Sequence, residues 1–321
     1  MPHAPSEPWQ PAKSSLDDQL AALDLVYSRH EPADRQQRIK ARVTESAPAA
    51  VAGLWVGRRG KKLVAAMLAE PSPGATAMIL PPCAVSGEAA DVALELARHV
   101  MAQLEHDGVR IAQALLDAPD AADAGLLIEL GFRYTSELLF LVSTSAAFSE
   151  SRPVGSLEFV GYSPALRERL KLVVERSYVD SLDCAEVDGV RTIDDILTGY
   201  RAIGVFDPAR WLLVREQQTD VGCLLIADHP SSDQAELVYM GVTGEARGRG
   251  LALAITRHAQ WLTRQAGRSR LVLAVDARNK PAIAAYLAAN FVVYEQHSLF
   301  LRIFDGRGAR DARFRSEFDV L

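Results

Sequence analysis

ELVYMGVTGEARGRGLALAITRHAQ, residues 236–260, is the stretch from which the fold is read. Residues 236–242 are rich in aliphatic, β-branched and aromatic residues and predict a buried strand. Residues 243–246 turn the chain. Arg247, Gly248, Arg249, Gly250, Leu251 and Ala252 then open a helix whose apolar positions Leu251, Ala254, Ile255, Ala259 and Leu262 recur at helical spacing. A strand that runs through a glycine-rich turn into a helix leaves backbone N–H groups without intrahelical partners, at the positive end of the helix dipole. Glycine also lets an anion come close to the backbone. The two arginines add positive charge, so the turn is expected to hold a phosphorylated ligand.

Two phosphate motifs are excluded. A dinucleotide fingerprint needs a third glycine where this chain has Leu253, and a P-loop needs a Gly-Lys-Ser/Thr that is absent. What remains is Arg-x-x-Gly-x-Ala, formed by Arg247, Gly250 and Ala252. A second motif follows: Asn279, Ala282, Tyr286 and Phe291, with Asn290 where glycine is usual. Asparagine tolerates the left-handed conformation that ends a helix, so the departure is mild. In these two motifs the chain resembles the GNAT superfamily of acyl-CoA-dependent N-acyltransferases.

The resemblance implies acetyl-CoA as acyl donor and the turn 247–252 as its pyrophosphate site. It also implies strand-like backbone bonds from Met240, Gly241 and Val242 to the pantetheine arm, with Asn279 touching the same arm. Tyr286 would then protonate the departing thiolate. Glu236 is similar to the strand glutamate that serves as base in histone-acetylating members. Plainer readings stand beside each role. Asn279 is also a good helix N-cap, Tyr286 a helix tyrosine packed on the sheet, and Glu236 a residue flanking its strand.

The two halves of the chain repeat one another. LLDAPDAADAGLLIELGF (115–132) aligns with LAVDARNKPAIAAYLAANF (273–291), and the aspartate-to-phenylalanine spacing is the same in Asp117–Phe132 and Asp276–Phe291. Repetition over roughly 150 residues indicates a duplicated domain, not a solenoid. The expected fold class is α/β, with two tandem GNAT-like domains, each a mixed, mostly antiparallel sheet flanked by helices. The expected boundaries are a flexible leader (1–15), an N-terminal domain (16–146) closed by an apolar strand at 138–142, and a linker (147–156). A C-terminal acyltransferase domain (157–305) and a charged tail (306–321) follow. In the repeat Asp120 stands opposite Asn279 and Leu127 opposite Tyr286, and PPCAVSGE offers no arginine-glycine turn. The N-terminal copy therefore reads as degenerate. The arrangement is similar to tandem proteins of the mycothiol synthase type.

Composition narrows the remaining classes. The chain has 321 residues, 49% hydrophobic, with net charge −6, which disfavours nucleic-acid binding. Its three cysteines are unclustered, arguing against a disulfide framework or zinc site. No apolar run approaches the roughly 20 residues that span a bilayer, so a cytoplasmic protein without membrane contact is expected. The predicted function is transfer of an acetyl group from the CoA thioester directly to an amine, on a small molecule or a peptide. The other reading is a non-catalytic acyl-CoA-binding sensor. Asp183, Glu186, Asp188, Asp194 and Asp195 form an acidic group, read chiefly as solvated loop and helix-start charge. His229 is expected in a loop, and the oligomeric state is open.

Overall fold

A computed structural model describes residues 9–304 apart from 48, 88, 89 and 184, so Cys184 and the predicted tail lie outside the described residues. In chain order the elements are β1 (Trp9–Lys13), α1 (Gln19–Val26), α2 (Pro32–Ser46), β2 (Leu54–Arg59), β3 (Lys62–Ser72), β4 (Thr76–Ala84), α3 (Ala90–His106), β5 (Ile111–Leu116) and α4 (Ala124–Glu129). There follow β6 (Arg133–Thr144), β7 (Glu158–Gly161), α5 (Arg167–Tyr178), α6 (Ile193–Ala202), β8 (Val205–Glu216), β9 (Thr219–His229) and β10 (Gln234–Val242). The last four are α7 (Leu251–Gln265), β11 (Arg270–Asp276), α8 (Lys280–Ala288) and β12 (Val292–Ile303). The architecture is the expected α/β one, with mixed, mostly antiparallel sheet flanked by helices. The chain divides into two compact units, Met1–Tyr134 with Phe300–Leu321, and Thr135–Leu299.

In the first unit the strand order begins β1-β2-β3-β4-β5. Its core is built from Leu96, Val100 and Met101 of α3 against Ala112 and Ala114 of β5, with Phe132, Phe300 and Phe304. Two expectations change here. Residues 9–13, read as part of a flexible leader, form β1 and pair with β2 from Trp9↔Arg59 to Lys13↔Trp55. The apolar strand read as closing the N-terminal half is β6, which pairs with β11 of the second unit from Arg270↔Thr144 to Asp276↔Leu138. Conversely, Phe300 and Phe304 complete the core of the first unit. LLFLV and LFLRIF are equally apolar, and periodicity identifies a strand without naming its partner.

The second unit orders its strands β7-β8-β9-β10-β11-β6-β12. One face packs on α7 and α8 through Leu251, Ile255, Ala259, Tyr286 and Ala289, meeting Leu237, Leu271, Leu273 and Val275. The other packs on α5 and α6, where Leu170, Val173, Val174 and Leu197 meet Trp211, Leu213, Cys223 and Leu225. Each fully buried aliphatic side chain contributes about 1.5–3 kcal/mol from its removal from water, so these two layers fix the strand registers. Both units carry one short parallel pair: Thr76–Met78 with Ile111–Gln113, and Gln234–Glu236 with Arg270–Val272. The β1–β2, β2–β3, β3–β4, β6–β11, β7–β8, β8–β9 and β9–β10 pairings are antiparallel.

Candidate active site

Pairing between β10 and β11 stops at Glu236↔Val272. Beyond it the two strands part, and an irregularity in the β9–β10 ladder between Leu237 and Tyr239 turns β10 further. Met240, Gly241 and Val242 still pair with Leu224, Cys223 and Gly222 of β9. Their other edge faces a cleft of about 680 Å³ that is also lined by Ala274, Val275, the 246–253 turn and α8. Backbone groups on that edge lack a strand partner and can bond an extended ligand. Gly241 is needed for close packing, since a Cβ there would lie 2.3 Å from Ser177 Oγ.

The turn after β10 owes its shape to two glycines. Gly248 and Gly250 both have φ +75°, and Gly250 is the N-cap of α7. A Cβ on either would meet nothing within 4 Å, so backbone angle and not crowding calls for glycine. No side chain caps α7. Gly250, Leu251 and Ala252 line the cleft, so the first N–H groups of the helix have no side-chain cap where it opens. Both arginine side chains also make contacts within the protein. Arg247 donates from Nε to the Val242 carbonyl (3.3 Å), from Nη1 to Asp180 (3.1 Å) and from Nη2 to Ser177 (2.8 Å). Its guanidinium ties the turn to the end of α5. Arg249 pairs with Glu216 at the end of β8 and remains half exposed.

Asn279 is the N-cap of α8, its Oδ1 accepting from the Ala282 N–H at 3.3 Å, and it also lines the cleft. Tyr286 is 6% exposed, with its ring 5.7 Å from that of Phe291. Burial, with the Asp183 charge nearby, holds its hydroxyl well above the ordinary tyrosine value. The tyrosine is therefore neutral and a hydrogen-bond donor at any working pH. Asp183 accepts from the Asp276 N–H at 2.9 Å. Arg278 bridges Glu186 (2.6 Å) and the buried Asp276 (2.7 Å), and Asp194 pairs with Arg167 (2.5 Å) and Lys171 (3.0 Å). Glu186 and Asp194 of the acidic group are thus in ion pairs, and Asp195 completes a capping box with Thr192 at the start of α6.

Glu236 is not among the residues lining the cleft. It sits at the last paired position before the strands part, with its Oε2 2.9 Å from His229 Nε2. His229 is the final residue of β9 and not a loop residue. Its ring is held against Gly204, where a Cβ would approach Nε2 to 2.9 Å. Alternation along β9 puts Cys223, Leu225, Ala227 and His229 on one face. Glu236 is registered against Ala227, so a two-residue offset brings carboxylate and imidazole together. The sequence carries the alternation but not the register. A second group absent from the sequence reading is aromatic. The Tyr178 and Tyr200 hydroxyls are 2.6 Å apart, Tyr200 stacks on Tyr239 at 5.3 Å, and the Tyr239 hydroxyl meets Ser177 Oγ at 2.8 Å.

Residues 177–291 match the Acetyltransferase (GNAT) family. This stretch is a GNAT domain. Its limits enclose every element of the cleft, from the end of α5 through Phe291. Among curated relatives, the mycothiol acetyltransferase of Corynebacterium glutamicum (strain R) is 34% identical over 80 residues, covering 25% of this chain and 27% of the relative. That of Streptomyces scabiei (strain 87.22) is 32% identical over 95 residues, covering 30% and 31%. The matched stretch thus spans about a third or less of these relatives. Among solved structures, a GCN5-related N-acetyltransferase from Sphaerobacter thermophilus shares the fold at TM-score 0.59 and 15% identity, over 93% of this chain and 97% of that one. A tandem GNAT protein from the clavulanic acid biosynthesis pathway matches at TM-score 0.50 and 15% identity, over 95% and 99%. The tandem GNAT arrangement expected from the internal repeat is therefore the arrangement of the fold. No helix among the described residues is long and apolar enough to cross a membrane.

Proposed function

We propose that the second unit transfers an acetyl group from acetyl-CoA to an amine acceptor. The observation that carries this reading is the parting of β10 from β11 directly above a glycine-shaped helix N-terminus, within a stretch matching the GNAT family. The N–H groups of 248–252 would receive the pyrophosphate, and the open edge of Met240, Gly241 and Val242 would pair with pantetheine. Arg247 acts by holding this turn to α5, and Arg249 supplies a positive rim. Asn279 caps α8 and presents the rest of its amide to the cofactor arm.

An alkylamine with a pKa near 10 is largely protonated at neutral pH and must lose a proton before attack. Glu236, braced by His229 where the cleft opens, takes that proton. The amine lone pair then forms the C–N bond at the thioester carbonyl, and the tetrahedral intermediate collapses with cleavage of C–S. The Tyr286 hydroxyl, kept neutral by burial, donates to the departing sulfur, while the extra proton left on the attacking nitrogen passes through solvent and restores the phenol, so that amide and CoA thiol form and the one proton taken by Glu236 is the net release. The first unit, with Leu127 fully buried in the place corresponding to Tyr286, serves as support and not as a second active site.

The test is calorimetric titration with acetyl-CoA, followed by thiol release with a panel of primary amines. Wild type should bind and turn over. Glu236→Gln should bind equally and lose about 10²–10⁴ in kcat, the span of general-base catalysis. Binding without turnover by wild type toward any amine would favour the sensor reading, and absence of binding would reject both.

A further inference from the structure

Beside the cleft, the second unit leaves part of its sheet bare. Leu271, Leu273 and Val275 of β11 and Leu139 and Leu141 of β6 belong to the core under α7 and α8. Their alternates Val272, Ala274, Phe140 and Val142 therefore share the opposite face. The register sets Ala274 against Phe140 and Val272 against Val142. Glu236 is registered with Val272 from the other side and joins the same row. Ala274 is exposed although β11 lies between two strands, and Val272, Phe140 and Val142 are half-buried, so among the described residues this face is only partly covered. Ala274 also lines the cleft, which makes cleft and face continuous.

Next to Phe140 stands Tyr294 of β12, 53% exposed, its ring centroid 6.5 Å from that of Phe140 and inclined at 68°. Partial burial, with the Glu295 and Glu236 charges adding to it, disfavours ionisation of its phenol. An aromatic pair edge-to-face on an open sheet, with carboxylates at its border, suits a ligand that is apolar at one end and cationic at the other. We propose that this face is the acceptor subsite of the transfer described above, on which it rests, and that it takes primary amines carried on a flat apolar ring. The ammonium is drawn to the Glu236 border, the ring lies on Phe140 and Tyr294, and the nitrogen comes to rest where Ala274 meets the cleft.

Thiol release from acetyl-CoA by the full chain, with 2-phenylethylamine and with ethylamine, tests this. Wild type should show kcat/KM at least about tenfold higher for 2-phenylethylamine, since burying a ring is worth that much or more. Tyr294→Ala should remove most of the advantage while leaving ethylamine turnover and acetyl-CoA affinity unchanged. Tyr294→Phe, which keeps the ring, should retain it. Equal kcat/KM for the two amines, or a preference that survives Tyr294→Ala, overturns the proposal. If acetyl-CoA binds but neither amine releases thiol, titrating 2-phenylethylamine into the CoA-loaded protein decides. Binding that depends on Tyr294 upholds the subsite and rejects the chemistry; no binding overturns the subsite. Failure to bind acetyl-CoA at all overturns both readings together.

Discussion

Replacing Arg247 with alanine should weaken the second unit before any ligand is present. The side chain holds three carbonyls, on Val242, Asp180 and Ser177, at 3.3, 3.1 and 2.8 Å. Ser177 lies in the last turn of α5, where carbonyls lack intrahelical partners and the helix dipole favours a cation. A net hydrogen bond contributes about 0.5–1.5 kcal/mol, and the 3.3 Å contact falls at the weak end. Because the arginine is exposed, the three together amount to about 1–2 kcal/mol. For a cooperative unit of this size each kcal/mol moves Tm by about 2–4 °C, so calorimetry without ligand should show a fall of roughly 2–8 °C. Arg247→Lys should recover less than half of it, since one ammonium cannot span the three acceptors of a guanidinium fork. Arg249→Ala removes only a rim pair with Glu216 and should stay within roughly 2 °C of wild type. An Arg247→Ala protein with wild-type Tm but tenfold weaker acetyl-CoA binding would refute the reasoning, because the guanidinium would then be a free ligand group.

Three further outcomes are expected. Tyr286→Phe removes a donor from the cleft without changing core volume, so kcat should fall about 10–100-fold with acetyl-CoA affinity unchanged, read by stopped-flow thiol release and titration. His229→Leu should lower kcat about tenfold by freeing the Glu236 carboxylate, whereas His229→Gln, which keeps a donor, should retain most activity; equal loss in both would mean that the imidazole does more than position. His258, 3% exposed and stacked on Phe159 at 3.5 Å, has its pKa pushed down to about 4 by burial, with Arg152 adding to the effect. Because the folded value lies below the unfolded one, the unfolded chain binds the proton first, and stability is lost as pH falls from about 6.5 to 4. The loss is on the order of 3 kcal/mol, and denaturant unfolding across this window should have a shallower pH slope in His258→Leu.

How much was legible depended on whether a feature is local. The strand, turn and helix of 236–265 are local, and the helical and alternating periods found them along with both motifs. Asn279 as N-cap, Gly250 as the start of α7 and Tyr286 on α8 all follow from spacing within one element. Register and partnership are not local. That β6 would join β11, that residues 9–13 would add a strand, and that His229 would meet Glu236 each require knowing which strand lies beside which. The carbonyls that the Arg247 guanidinium meets were not legible for the same reason. Positive charge beside a helix N-terminus favours an anion in general, but the Ser177 and Asp180 carbonyls, some 70 residues earlier in sequence, claim this one.

The two halves of the chain separate topology from chemistry. Each has a strand pair held in parallel over three positions, and in each the corresponding helix follows with a buried residue facing the sheet. In the first unit that residue is Leu127, with no polar atom, and the Cys83 thiol of β4 contacts the Val26 carbonyl at the end of α1 at 3.9 Å. In the second unit it is Tyr286, which lines an open cleft. The same backbone pattern thus carries an aliphatic side chain in a filled core in one copy and a phenol beside an open cleft in the other. It follows that reactivity cannot be moved to the first unit by writing Tyr at position 127 alone. A phenol there would enter a filled core, clash, and leave its hydroxyl buried without a partner, a change that should cost about 1–3 kcal/mol and yield no acetyl-CoA site. Chemical denaturation and titration of the variant Leu127→Tyr would measure both halves of that statement.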